Sequence, residues 1–213
     1  MRQSAVMFKA KGLNFEGIVA TPEDMGSGLP GIVICHPHPL YGGNMDNNVV
    51  LALSFALAES GFATIRFNFR GVGNSEGEHT KGEQEHQEVL GAFDLLKAWP
   101  GVNGGKLGLA AYSFGTSVVL GSAAVQKRAR CVALVSPHIR SIKDSPLKKA
   151  KTPTLIITGD RDRLVEAADL QPNLDSFNTP VDFQVVAGAD HFWGGLERQL
   201  VKPVTEFFAR HLA

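Results

Sequence analysis

The sequence has two cysteines, no net charge and no long apolar run, and each shortage excludes a class of protein. With only Cys35 and Cys131, both inside apolar strand-like runs, a disulfide scaffold is ruled out. Buried, reduced and structural thiols are expected, and the cytosol is the compartment that fits. Lysine plus arginine equals aspartate plus glutamate at 21 each, and no basic stripe forms, so neither nucleic acid nor an anionic membrane surface is an expected partner. The densest basic stretch, Lys143–Lys151, also carries Asp144 and reads as a solvated helix face. The longest apolar stretch, Val49–Ala58, is broken by Ser54 and too short to span a bilayer. Residues 1–9 lack the apolar core of a secretory signal.

What is present is ordinary for a globular protein. Hydrophobic residues make up 44% and charged residues 20%, enough to build a sizeable core and too apolar for disorder. Short β-branched runs bounded by turn residues predict strands at Leu13–Ala20, Gly31–Cys35, Ala63–Phe67, Leu107–Ala111, Cys131–Val135, Thr154–Thr158 and Val181–Val186. Helical patterns alternate with them at Asn47–Glu59, Gly82–Ala98, Phe114–Lys127, Glu166–Phe177 and Leu196–His211. That alternation predicts an α/β fold over residues 1–213 as one domain: a mostly parallel sheet with helices on both faces. Only about fifteen residues separate Pro137 from Pro153, too few for a lid or cap domain.

Ser113 is the most informative residue. It lies in Ala111-Tyr112-Ser113-Phe114-Gly115, between a buried strand and a helix of small residues. Strand, sharp turn and helix are the wiring of a nucleophile elbow, in which small residues flank the serine because the bend is tight. Ala111 stands where the motif has glycine, a departure of one methyl.

In a parallel sheet the ligand site lies beyond the carboxyl ends of the strands. The strand Thr154–Thr158 runs into Gly159-Asp160-Arg161-Asp162, and Val181–Val186 runs into Asp190-His191. Read in order these supply a serine, an aspartate and a histidine, each at a strand end. A serine hydroxyl needs a base at neutral pH, and the imidazole needs an acid to fix its tautomer. Asp160 and Asp162 compete for the acid; Asp162, further out on the loop, is favoured. Asp190, adjacent to His191, reads as loop structure.

The run His36-Pro37-His38-Pro39-Leu40-Tyr41-Gly42-Gly43-Asn44-Met45 follows another strand end. One oxyanion-hole donor is expected from the Phe114 N–H, and this run should supply the second. Proline has no N–H. His38 and Leu40 therefore remain, with His38 preferred. The competing reading, a metal held by His36 and His38 with Glu83, His86 or Asp162, lacks metal-ligand spacing, and no metal or cofactor is expected. The loop Asn68–Gly77 has glycines but neither a Walker ending nor dinucleotide spacing. It reads as a turn holding Arg70, with Ser75 an unsupported second nucleophile. Leu40, Tyr41, Met45, His138, Phe192 and Trp193 are candidate pocket walls.

Together the motifs His-Pro-His-Pro-x-x-Gly-Gly-x-Met, Phe69–Ser75 and Ala111–Gly115, with Gly188–Phe192, resemble those of the α/β-hydrolase superfamily. More narrowly they are similar to small lidless bacterial serine hydrolases. The resemblance implies triad roles for Ser113, Asp162 and His191 and hydrolysis of small acyl esters or thioesters through an acyl-enzyme. The same triad could cleave amides, and a binding protein could retain the fold without the activity.

Overall fold

The computed structural model describes residues 1–24 and 26–212. Among the described residues eight strands form one sheet in the order β1-β2-β4-β3-β5-β6-β7-β8. The strands are β1 (Arg2–Ala10), β2 (Leu13–Thr21), β3 (Leu29–Cys35), β4 (Ala63–Phe67), β5 (Val102–Tyr112), β6 (Val132–Val135), β7 (Thr154–Gly159) and β8 (Val181–Val186). From β4 to β8 every pairing is parallel. β1 and β2 join as an antiparallel ribbon.

Among the described residues the α-helices are α1 (Asn48–Glu59), α2 (His86–Ala98), α3 (Phe114–Leu120), α4 (Ala123–Gln126), α5 (Ile139–Lys143), α6 (Ala167–Leu174) and α7 (Glu197–Leu212). The period-2 alternation of strand side chains splits the core in two. Val33, Leu109, Leu134 and Ile156 point to the face covered by α2, α3 and α6. Ile32, Ala110, Ala133 and Ile157 point to the face covered by α1 and α7. Parallel strands buried on both faces need continuous apolar runs, and β3, β5, β6 and β7 have them. The fold is an α/β hydrolase fold without a cap. Between β6 and β7 the chain makes only α5 and one turn of 3-10 helix at Pro146–Lys149.

Four expectations need correction. β1 was not anticipated; it forms because Lys11 (φ 49°) and Gly12 (φ 90°) make a tight hairpin onto β2. α2 begins at His86, not Gly82, because residues 80–84 wrap around the Glu85 carboxylate, which accepts from the Thr80, Gly82 and Gln84 N–H groups. The helix expected over Phe114–Lys127 breaks at Gly121, and Ser122 caps α4 by accepting from the Val125 N–H. The Lys143–Lys151 stretch is no single helix face, since Pro146 starts a new turn. Among the described residues no helix is long and apolar enough to cross a membrane.

Candidate active site

The turn between β5 and α3 holds Ser113 at φ 51°, ψ −114°, in the positive-φ region that L-residues avoid. Two contacts enforce it. The Ser113 N–H donates to the Val135 carbonyl of β6 at 2.9 Å, and the Thr116 hydroxyl donates to the Ser113 carbonyl. Gly115 is required beyond the serine: a Cβ there would sit 2.8 Å from the Cys35 Cβ and 2.9 Å from the Cys35 and His36 carbonyl oxygens. Ala111, by contrast, is wholly buried between β3 and β6, and its methyl is part of the core.

Three strand ends bring three side chains into hydrogen-bond succession. Ser113 Oγ lies 2.9 Å from His191 Nε2. His191 Nδ1 lies 2.8 Å from Asp162 Oδ2 and 3.1 Å from Oδ1. Asp162 is buried, and its carboxylate also accepts from the Leu164 and Val165 N–H groups. Burial alone would raise its pKa. Hydrogen bonds from His191, Ser136 and the Val165 N–H outweigh that and hold the carboxyl below its ordinary value. An ionised Asp162 keeps the proton on Nδ1 and leaves Nε2 free to accept from the serine. The Tyr112 hydroxyl donates to the His191 carbonyl at 2.6 Å, fixing the histidine's backbone from below.

The competing aspartates have other work. Asp160 accepts from the Gly188 N–H at 2.7 Å, joining the β7 and β8 loops. Asp190 accepts from the Phe192 and Trp193 N–H groups. Ser75 donates to the Asn68 carbonyl and accepts from the Glu16 N–H, so its hydroxyl is tied into the fold. Arg70 is buried against Glu88, Gln84 and Gln87.

The two oxyanion candidates separate on geometry. The Leu40 N–H donates to His38 Nδ1 at 3.2 Å as the cap of a short 3-10 turn, and so is consumed locally. Among the described residues the His38 and Phe114 N–H groups donate to no protein acceptor. The two residues adjoin, their rings 4.9 Å apart. His36 is buried; its Nδ1–H donates to the Pro37 carbonyl and its Nε2 accepts from the Phe69 N–H. Burial drives its pKa down to about 4, so it is neutral, with both nitrogens occupied. Among the described residues no group of three His, Cys, Asp or Glu side chains is arranged to hold a metal ion.

Ser113 and His191 open into a cleft of about 650 Å³, the size of a small-molecule site. Of the expected walls, Tyr41, His138 and Phe192 line it. Three do not. Trp193 is fully buried in the α1–α7 face, with its indole N–H on the Ser136 hydroxyl at 3.2 Å. Met45 turns inward, its backbone N–H held by Asn68 Oδ1. Leu40 points to solvent beside the cleft. Sequence reasoning missed Ser117, Ser136, Leu164 and Val165 as walls. Ser136 directly follows β6, so the strand-end rule could have found it. Leu164 and Val165 carried no such signal. His79, also unanticipated, packs 5.0 Å from the His38 ring and 5.2 Å from Phe114, with Nδ1 3.0 Å from the buried Glu85 carboxylate.

Comparison with known proteins agrees with the fold. A sequence profile described as an alpha/beta hydrolase domain matches residues 33–202. A solved alpha-beta serine hydrolase homologue from Coxiella burnetii is 31% identical, with a TM-score of 0.84, covering 100% of this chain and 99% of that one. A lidless α/β serine hydrolase from Xanthomonas campestris is 25% identical, with a TM-score of 0.85, over 100% of this chain and 96% of that one. An uncharacterised protein of Rickettsia prowazekii is 28% identical over 84% of this chain and 78% of its own length.

Proposed function

The chain belongs to the alpha/beta hydrolase family, whose fold points to hydrolase activity, and we propose that it is a serine hydrolase of small carboxylic esters or thioesters. The observation that carries this reading is the unbroken succession from Ser113 Oγ through the His191 imidazole to Asp162. In the proposed reaction Ser113 Oγ bonds to the acyl carbon while its proton passes to His191 Nε2. The carbonyl oxygen takes the displaced electron pair and is held by the Phe114 and His38 N–H groups. As the carbonyl re-forms, the bond to the leaving alkoxide or thiolate breaks, and His191 gives it the proton. Water then repeats the sequence on the acyl-enzyme and releases the acid. No metal or organic cofactor takes part, and the partner is the small ester itself.

A fluorophosphonate probe tests the reading. The native protein should be labelled at Ser113 and hydrolyse p-nitrophenyl esters; Ser113→Ala should do neither. An unlabelled but folded native protein would overturn it. Short peptide amides assayed alongside separate an esterase from a peptidase.

A further inference from the structure

Phe192 is held in an uncommon position. Its ring is 65% exposed, yet its neighbours His191 and Trp193 are 8% and 0% exposed. The backbone is not slack: the Phe192 N–H donates to Asp190 at 2.9 Å, and its carbonyl accepts from Asn48 Nδ2 at 3.1 Å. The ring stands edge-on to the His191 imidazole, with centroids 5.8 Å apart and planes at 86°. One exposed phenylalanine needs no explanation. Here Tyr41 and Leu164, 88% and 64% exposed, border the same cleft. No lysine, arginine, aspartate or glutamate is among the cleft's lining residues. Apolar surface concentrated at one mouth marks a recognition site.

The geometry at Ser113 decides which part of a substrate meets Phe192. Once Oγ bonds the acyl carbon, the oxyanion turns to the Phe114 and His38 N–H groups. His191 Nε2 must reach the leaving oxygen to protonate it. The leaving group therefore lies on the imidazole side, next to Phe192, and the acyl chain takes the remaining direction. Resting on the serine-hydrolase reading above, we infer that Phe192 sets specificity for the leaving group, and that the preferred substrates are uncharged esters of aromatic alcohols whose ring packs on Phe192. As the carbon–oxygen bond breaks, the proton passes from His191 to the aryl-bearing alkoxide. The alcohol departs, and the acyl-enzyme left behind is independent of it.

Benzyl acetate and ethyl acetate test this, because both leave the same acetyl-enzyme and their alcohols are of similar acidity. In the native protein kcat/KM for benzyl acetate should exceed that for ethyl acetate at least tenfold. Phe192→Ala should cut that ratio about fivefold, and Phe192→Tyr should restore it, the range expected for one aromatic contact. Deacylation of the common acetyl-enzyme should not follow the alcohol. Equal rates for the two esters in the native protein, or a ratio unchanged in Phe192→Ala, would overturn the inference. Fluorophosphonate labelling of Ser113, run on the same samples, keeps the two questions apart. A labelled protein without benzyl preference refutes only the role of Phe192; an unlabelled native protein refutes the serine mechanism.

Discussion

The Trp193 indole donates to the Ser136 hydroxyl across 3.2 Å, and both residues hold positive φ, 61° and 47°. This bond ties the loop that carries His191 to the loop that follows β6. Trp193→Phe removes the donor and leaves a buried hydroxyl short of a partner. It should cost about 1–3 kcal/mol by urea unfolding. Ester turnover should fall too, since the histidine loop loses an anchor. An unchanged midpoint would show that the bond contributes nothing.

Proline can delete one N–H without disturbing the chain where φ already suits it. His38 has φ −64°. His38→Pro should therefore lower kcat by about 10²–10³-fold, the loss associated with one oxyanion donor. His38→Ala keeps the N–H and removes only the imidazole, so its loss should be much smaller. Equal losses in the two variants would assign the effect to the side chain.

At the elbow, Gly115→Ala pushes a methyl against the Cys35 and His36 backbone, which cannot yield as a flexible side chain would. The substitution should destabilise the protein by about 1–3 kcal/mol and displace Ser113 enough to slow fluorophosphonate labelling. Ala111→Gly, though it restores the common elbow pattern, should also destabilise, because it empties a buried methyl site. Thermal melts of the two variants check both.

His36 gives a pH signature with a definite sign. Its folded pKa of about 4 lies below the ordinary histidine value near 6.5, so protons bind the unfolded chain more readily. Its neutral state is favoured in the fold. Stability should be undiminished above about pH 6.5 and fall as pH drops towards 4, by up to about 3 kcal/mol from this group. Urea unfolding at pH 7 and pH 4.5 reads the loss. His36→Asn should start less stable and show a smaller drop; an equal drop would assign the acid sensitivity elsewhere.

Much of this architecture was legible because parallel strands buried on both faces need continuous apolar runs, as Ile32–Cys35 and Leu155–Ile157 are. Strand ends then located Ser113, Asp162 and His191, since topology fixes where such loops gather. β1 was not legible: five of its nine residues are exposed polar or small side chains, and only pairing with β2 makes it a strand. The facing of side chains in tight loops was equally hidden. Phe192 and Trp193 are neighbours of similar character, yet one borders the cleft and the other is sealed in the core. No periodicity governs a turn; the Trp193 indole finds a buried partner in the Ser136 hydroxyl, while the Phe192 ring has no polar atom to anchor inward.

The left-handed backbone at Ser113 has an evolutionary corollary. A non-glycine residue in such a conformation costs of order 1–3 kcal/mol, which glycine would largely recover. A lineage freed from the demand for turnover could thus gain robustness by a single change at the reactive centre. Selection for endurance and selection for chemistry pull in opposite directions at this position.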